Sequence, residues 1–220
     1  MTNTEHLEQL YIFAVYMLGS REQAFAAVCD ATALHPGAPE RWLAALVRPL
    51  LVRSLPPDRF AELDDILRTN STIPIDLSHP LVRGELERMN VLLSELQRSC
   101  LLMALGGLTA ERRAVFILRH VLGLSPETCV EICGSTAGAI TAADGRGRRS
   151  LEGYLGARCE HMDAGNACHC AARLGNALDR GLVRWPEHHE HDTAPLSARR
   201  YRTVQALYAS LPRVRLPILK

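Results

Sequence analysis

The stretch LTAERRAVFILRHVLGLSPETCVEICGSTAGAITAADGRGRRSLEGYL, Leu108 to Leu155, decides the fold. Val115, Phe116, Leu118, Val121 and Leu122 recur at helical spacing, which buries one face of a helix ending in a tight turn at Gly123. Ser125, Pro126 and Glu127 then read as an N-cap followed by proline at the first helical position. Val130, Ile132 and Cys133 are expected to face inward before Gly134, where a left-handed residue would stop the helix. Ser135 or Thr136 caps a second short helix, anchored by Ile140 and ending in Arg146, Arg148 and Arg149. Two short helices about a glycine turn, the second leading into cations, make a helix-turn-helix pattern.

Outside this stretch the chain also reads as helical. Aromatic residues are only 5% of its 220 residues, and abundant alanine and leucine favour helices over sheets. Leu7, Leu10, Tyr11, Ala14, Val15 and Leu18 give one amphipathic helix, broken at Gly19-Ser20, and Arg21 to Ala33 a second. Glu40 to Leu55 is a third, with Pro49 inside it, and Asp58 to Arg68 adds a short one. Leu86, Met89, Leu93, Leu96 and Leu101 stripe a long helix over Leu81 to Leu105. Another helix is expected near Cys170 to Arg180 and a last one from about Leu196 to Ser210. The expectation is an all-α fold: a helical module over 1–69, a linker over 70–80, a helix-turn-helix module over 81–155 and a Cys/His-stapled tail over 156–220.

A formal net charge of +1 removes any argument from global charge, so a nucleic-acid reading must rest on local clusters. MTNTEHLEQLY at the start lacks a basic region followed by an apolar run, and no apolar run is long enough to span a bilayer. A cytoplasmic protein with no membrane partner is therefore expected. Seven cysteines in a reducing compartment argue against a disulfide framework and for metal or redox chemistry.

Two constellations carry chemistry. In a helix-turn-helix the start of the second helix reaches base edges and the cations beyond it meet phosphate. Thr136, Ala139 and Thr141 are the candidate base contacts, by hydrogen bond or by methyl contact with thymine. Arg146, Arg148 and Arg149 are the candidate phosphate contacts, and three of them give a log–log salt slope of about −3. The other reading is a solvated basic helix end that complements the helix dipole. Gly145 and Gly147 weaken this helix by about 1 kcal/mol each relative to alanine.

The second constellation is Cys159-x-His161, six residues, then Cys168-x-Cys170. Three thiolates and an imidazole suit tetrahedral Zn²⁺ in a closed structural site, with other soft metals open and His169 a competing ligand. Such binding supplies on the order of 10 kcal/mol to a segment too small for a core. A redox-active thiol set and unrelated cysteines remain the other readings. There is no G-x-S-x-G, P-loop, H-E-x-x-H or glycine fingerprint, so no enzymatic role is expected.

With those residues in view, the chain resembles the extracytoplasmic-function sigma factors of the sigma-70 family. LGGLTAERRAVFILRHVLGLSPETCVEICGSTAGAI (Leu105 to Ile140) is similar to the family's fourth region, which reads the upstream promoter element. LYIFAVYMLGS (Leu10 to Ser20) and RWLAALVRPLLVRSL (Arg41 to Leu55) are similar to its second region, which binds the polymerase clamp and the melted downstream element. CEHMDAGNACHC (Cys159 to Cys170) is similar to the Cys-rich extensions of a subgroup. The resemblance implies promoter DNA and the RNA polymerase core as partners, with an anti-sigma or other regulatory protein as a third. It also implies that the loop His35 to Pro39 receives an extruded base, with Trp42 stacking on it and Arg41, Arg48 and Arg53 nearby; the other reading makes Trp42 a core residue. Phe25, Ala26, Ala27 and Cys29 stand where the family carries an acidic clamp face, with only Asp30 acidic. That departure supports an alternative, a sigma-like protein-interaction module that binds a regulatory partner rather than promoter DNA.

Overall fold

A computed structural model describes residues 2–52, 60–61, 63–65, 79–185 and 200–211, and among them the protein is all-α with no strand beyond one isolated bridge. The described residues divide into two compact units that are not consecutive in sequence. One lies within 1–58 and 105–150, the other within 59–104 and 151–212. Two of the dividing points, 104/105 and 150/151, fall inside helices. Of the expected linker, 70–78 lie outside the described residues, as do Arg53 and most of 58–68.

In the first unit α1 runs Asn3–Leu18. Thr2 and Glu5 form a reciprocal capping box at its start, and Gly19, at φ 73°, closes it by donating to the Val15 carbonyl. Leu10, Tyr11, Phe13, Ala14, Val15, Tyr16 and Met17 are all buried, so its second half is covered on every side. It packs against α2 (Arg21–Leu34), α3 (Pro39–Val52) and α5 (Ala110–Phe116). Ser20 caps α2 by accepting from the Gln23 amide. Trp42 is buried and its indole N–H donates 2.8 Å to the His35 carbonyl, so the core reading of this residue holds.

The carboxyl end of α1 is held from far along the chain. Arg113 on α5 is 6% exposed and donates to the Met17 carbonyl (2.8 Å) and to the Gly106 carbonyl (2.7 Å). A buried guanidinium is tolerated here because carbonyls left over at helix ends need donors. Beyond α5 the chain winds as a π-turn over Ile117–Val121, with the Leu122 amide donating to Ile117.

In the second unit α4 (Leu86–Gly106) contributes up to residue 104, together with α8 (Cys170–Asp179) and α9 (Val204–Ala209). The core joins Val82, Leu92 and Leu93 to Leu174, Ala177 and Val183. The helix begins five residues later than the sequence pattern predicts, because 79–84 form turns in which Arg83 and Gly84 take positive φ. Leu86 is 65% exposed and falls outside the stripe assigned to the core. Tyr154 stacks on Phe60 and donates to Asp64, which also accepts two bonds from Arg158. Tyr208 on α9 donates 2.8 Å to the Leu101 carbonyl.

Candidate functional site

The helix, glycine turn and helix are present in the first unit. Ser125 caps α6 (Pro126–Cys133) by accepting from the Thr128 amide, with Pro126 at the first helical position. Gly134, at φ 64°, closes it with a bond to the Val130 carbonyl. Within α6 only Cys129 is fully buried; Val130, Ile132 and Cys133, expected to face inward, are half-buried. Arg48 of α3 donates to the Glu131 (2.9 Å) and Ile132 (3.1 Å) carbonyls, satisfying the last turn of α6.

The second helix is not short. α7 runs Ala137–Gly156, straight through both glycines that were expected to weaken it. Ile140, Ala143 and Gly147 face the interior, and a Cβ on Gly147 would stand 3.3 Å from the Arg112 carbonyl oxygen. Glycine at 147 is therefore a close-approach residue that lets α7 lie against α5.

On the outer side the expected contacts divide. Thr136 and Thr141 are exposed, but both hydroxyls are bound to the helix itself. Thr136 caps it by accepting from the Ala139 amide, and Thr141 donates to the Ala137 carbonyl. Ala139 is half-buried. Arg146 and Arg149 are exposed and make no ion pair with any described residue. Arg148 differs: half-buried, its Nε lies 3.5 Å from the Asp144 carboxylate, which also meets His120 Nε2 at 2.6 Å. Asp144, an acid in a basic stretch, thus serves the local packing, with His120 resting against the Phe116 ring.

A second cluster occupies residues 158–170 of the second unit. The backbone of Cys159 pairs with that of Cys168 in the isolated parallel bridge: the Glu160 amide donates to the Cys168 carbonyl and the Cys168 amide to the Arg158 carbonyl. Asn166 donates to the Gly156 and Cys159 carbonyls and so ties the intervening turn back. Of the four expected ligands, His161 and Cys170 meet, with His161 Nε2 3.5 Å from Cys170 Sγ. Ligand atoms of Glu160, His161 and Cys170 all lie within 4.8 Å of one another, so this trio could hold a metal ion. Cys159 and Cys168 share the backbone bridge but do not belong to that trio.

Sequence reasoning missed Glu160 and Cys100. Glu160 is 7% exposed; one oxygen accepts from the Cys170 amide at 2.6 Å and the other lies 2.9 Å from His169 Nδ1. Although burial opposes its charge, these donors and the neighbouring His161 hold its carboxyl below the usual range. The thiols go the other way. Burial pushes Cys159 up to about 11, with the charge of Cys168 adding, and raises Cys168 as well. Cys170 is raised well above the usual thiol range by burial and then by Cys100 on α4, which is raised in turn by its own burial and by Cys168 and Cys159. Thiols desolvated in this way keep their protons unless a cation takes their place.

Among the described residues no helix is long and apolar enough to cross a membrane. No family model, curated protein or solved structure matches the chain.

Proposed function

We propose that this chain is a sigma-factor-like transcription regulator of the bacterial cytoplasm that binds promoter DNA through α7 and the RNA polymerase core through its amino-terminal helices. The observation that carries the reading is the start of α7. It follows a capped helix and a left-handed glycine, stands exposed at Thr136 and Thr141, and continues to two exposed arginines without carboxylate partners among the described residues. A helix amino end presents backbone N–H groups to anions, and arginines beyond it meet the flanking phosphates. With both threonine hydroxyls committed to the helix, base contact at these positions falls to methyl groups and remaining lone pairs. Sulfur and imidazole donors in 159–170 favour Zn²⁺ as a structural or sensory ion of the tail.

Fluorescence anisotropy of zinc-loaded protein with labelled promoter fragments, with and without core polymerase, tests this. The expected result is salt-sensitive binding that strengthens when polymerase is added. Binding to neither ends the reading.

A second reading rests on α2. It exposes Ala26 and Cys29, where a clamp-binding surface would carry acids, and Leu34 at its far end is 65% exposed. In that case the chain is a sigma-like interaction module for a regulatory protein such as an anti-sigma factor. Co-purification that returns such a partner and no polymerase subunits decides for it.

A further inference from the structure

Glu160 and His161 are consecutive, and in extended backbone their side chains would point apart. The chain does not stay extended. The Met162 and Asp163 amides both donate to the Cys159 carbonyl (3.0 and 3.1 Å), so 160–162 form a turn. With that turn both side chains reach the thiol of Cys170, the first residue of α8, and ligand atoms of all three lie within 4.8 Å of one another. Glu160 and His161 are buried and Cys170 is half-buried. His161 Nε2 stands 3.5 Å from Cys170 Sγ. A tetrahedral zinc ion, with nitrogen at about 2.0 Å and sulfur at about 2.3 Å, sets those two atoms about 3.5 Å apart.

We infer that Glu160, His161 and Cys170 are the three protein ligands of a divalent cation of the zinc class, and that its fourth position is left to water or a small external ligand. This rests on the metal reading proposed above. A carboxylate and a thiolate together cancel the charge of a divalent ion, as a buried site requires. One Glu160 oxygen accepts from the Cys170 amide and the other lies against His169 Nδ1, which leaves each oxygen a second lone pair for a cation. Those bonds form the outer shell that ligating carboxylates need, and make His169 a positioning residue. Among the described residues no further histidine, cysteine or carboxylate belongs to the group. Four protein ligands close a structural zinc site, whereas three keep a place at the ion where an outside ligand can exchange.

X-ray absorption at the zinc edge of the zinc-loaded full chain tests the ligand set without any variant. One sulfur at about 2.3 Å, with nitrogen and oxygen at about 2.0–2.2 Å, is expected. Two or more sulfurs overturn it. Cys159→Ser and Cys168→Ser should leave that shell unchanged, and loss of the sulfur in either overturns it as well. Glu160→Gln keeps an oxygen for the Cys170 amide but loses the charge. Its zinc affinity, measured against a chromophoric chelator, should fall by more than the about 10- to 100-fold expected of the outer-shell variant His169→Ala. A fall no larger than that of His169→Ala makes the carboxylate a brace and overturns its place as a ligand. Azide added to the cobalt-loaded chain should shift its visible bands, and unmoved bands overturn the open position. Failure of the unaltered protein to take up either metal sinks the metal reading itself, an outcome separable from a wrong ligand set.

Discussion

The helix pair Pro126–Gly156 and the turn segment 158–170 solve the same problem, holding a short stretch of backbone still, by opposite means. The helix pair uses caps, a left-handed glycine and buried apolar residues, so its order comes from burial. The turn segment holds a single backbone bridge and no helix before Cys170, and its buried side chains are the polar Glu160 and His161, with the half-buried thiols of Cys159, Cys168 and Cys170 beside them. Burial alone works against such a set, because every charge removed from water costs free energy until something of opposite sign compensates it. One region is finished by folding; the other, on the metal reading proposed above, is finished by an ion.

The strongest attempt to break this contrast is metal removal. Binding supplies on the order of 10 kcal/mol to a small site, so chelation should release amide protection over 158–170. Hydrogen exchange over 126–150 should stay as it was, and equal loss in both regions would make the distinction false. Next comes Arg113→Ala, which leaves the Met17 and Gly106 carbonyls without their charged donor. It should lower stability in denaturant titrations by about 3 kcal/mol. A loss well under about 1 kcal/mol would mean that water replaces the guanidinium.

A finer comparison uses two glycines two residues apart on α7. Gly147→Ala pushes a methyl group against the Arg112 carbonyl at 3.3 Å and should destabilise by about 1 kcal/mol even after the gain in helix propensity. Gly145→Ala, whose nearest neighbour is the movable end of Arg149 at 3.6 Å, should stabilise by up to about 1 kcal/mol. Thermal unfolding of both variants gives the two signs, and matching signs would refute close packing as the reason for Gly147. The smallest effect belongs to the proposed DNA contact. Arg146→Ala and Arg149→Ala should each make the log–log salt dependence of binding shallower by about 0.9, while Arg148→Ala, already engaged by Asp144, changes it less.

What could be read in advance depended on the range of the interactions. The caps at Ser125 and Thr136, the turn at Gly134 and the start of α8 at Cys170 depend on neighbours within about four residues, and the pattern gave them away. Arg113 could not be found that way, because its acceptor Met17 is 96 positions distant and nothing local marks that arginine as buried. The π-turn at Ile117–Val121 looks like ordinary helix in residue spacing. Asp144 seemed misplaced among cations until His120, 24 residues back, supplied its partner. At the Cys/His segment the meeting of His161 and Cys170 was legible but not the contacts of Glu160. The signal was there in the residue left unnamed between Cys159 and His161, a carboxylate facing the only histidine in the matching gap.

The lone bridge at Cys159 and Cys168 also makes this segment a clasp rather than a sheet. Two backbone bonds close it, and the Asn166 side chain adds two more, to the Gly156 and Cys159 carbonyls. Fastenings so few can open one at a time, so the clasp borrows its firmness from whatever else its arms hold.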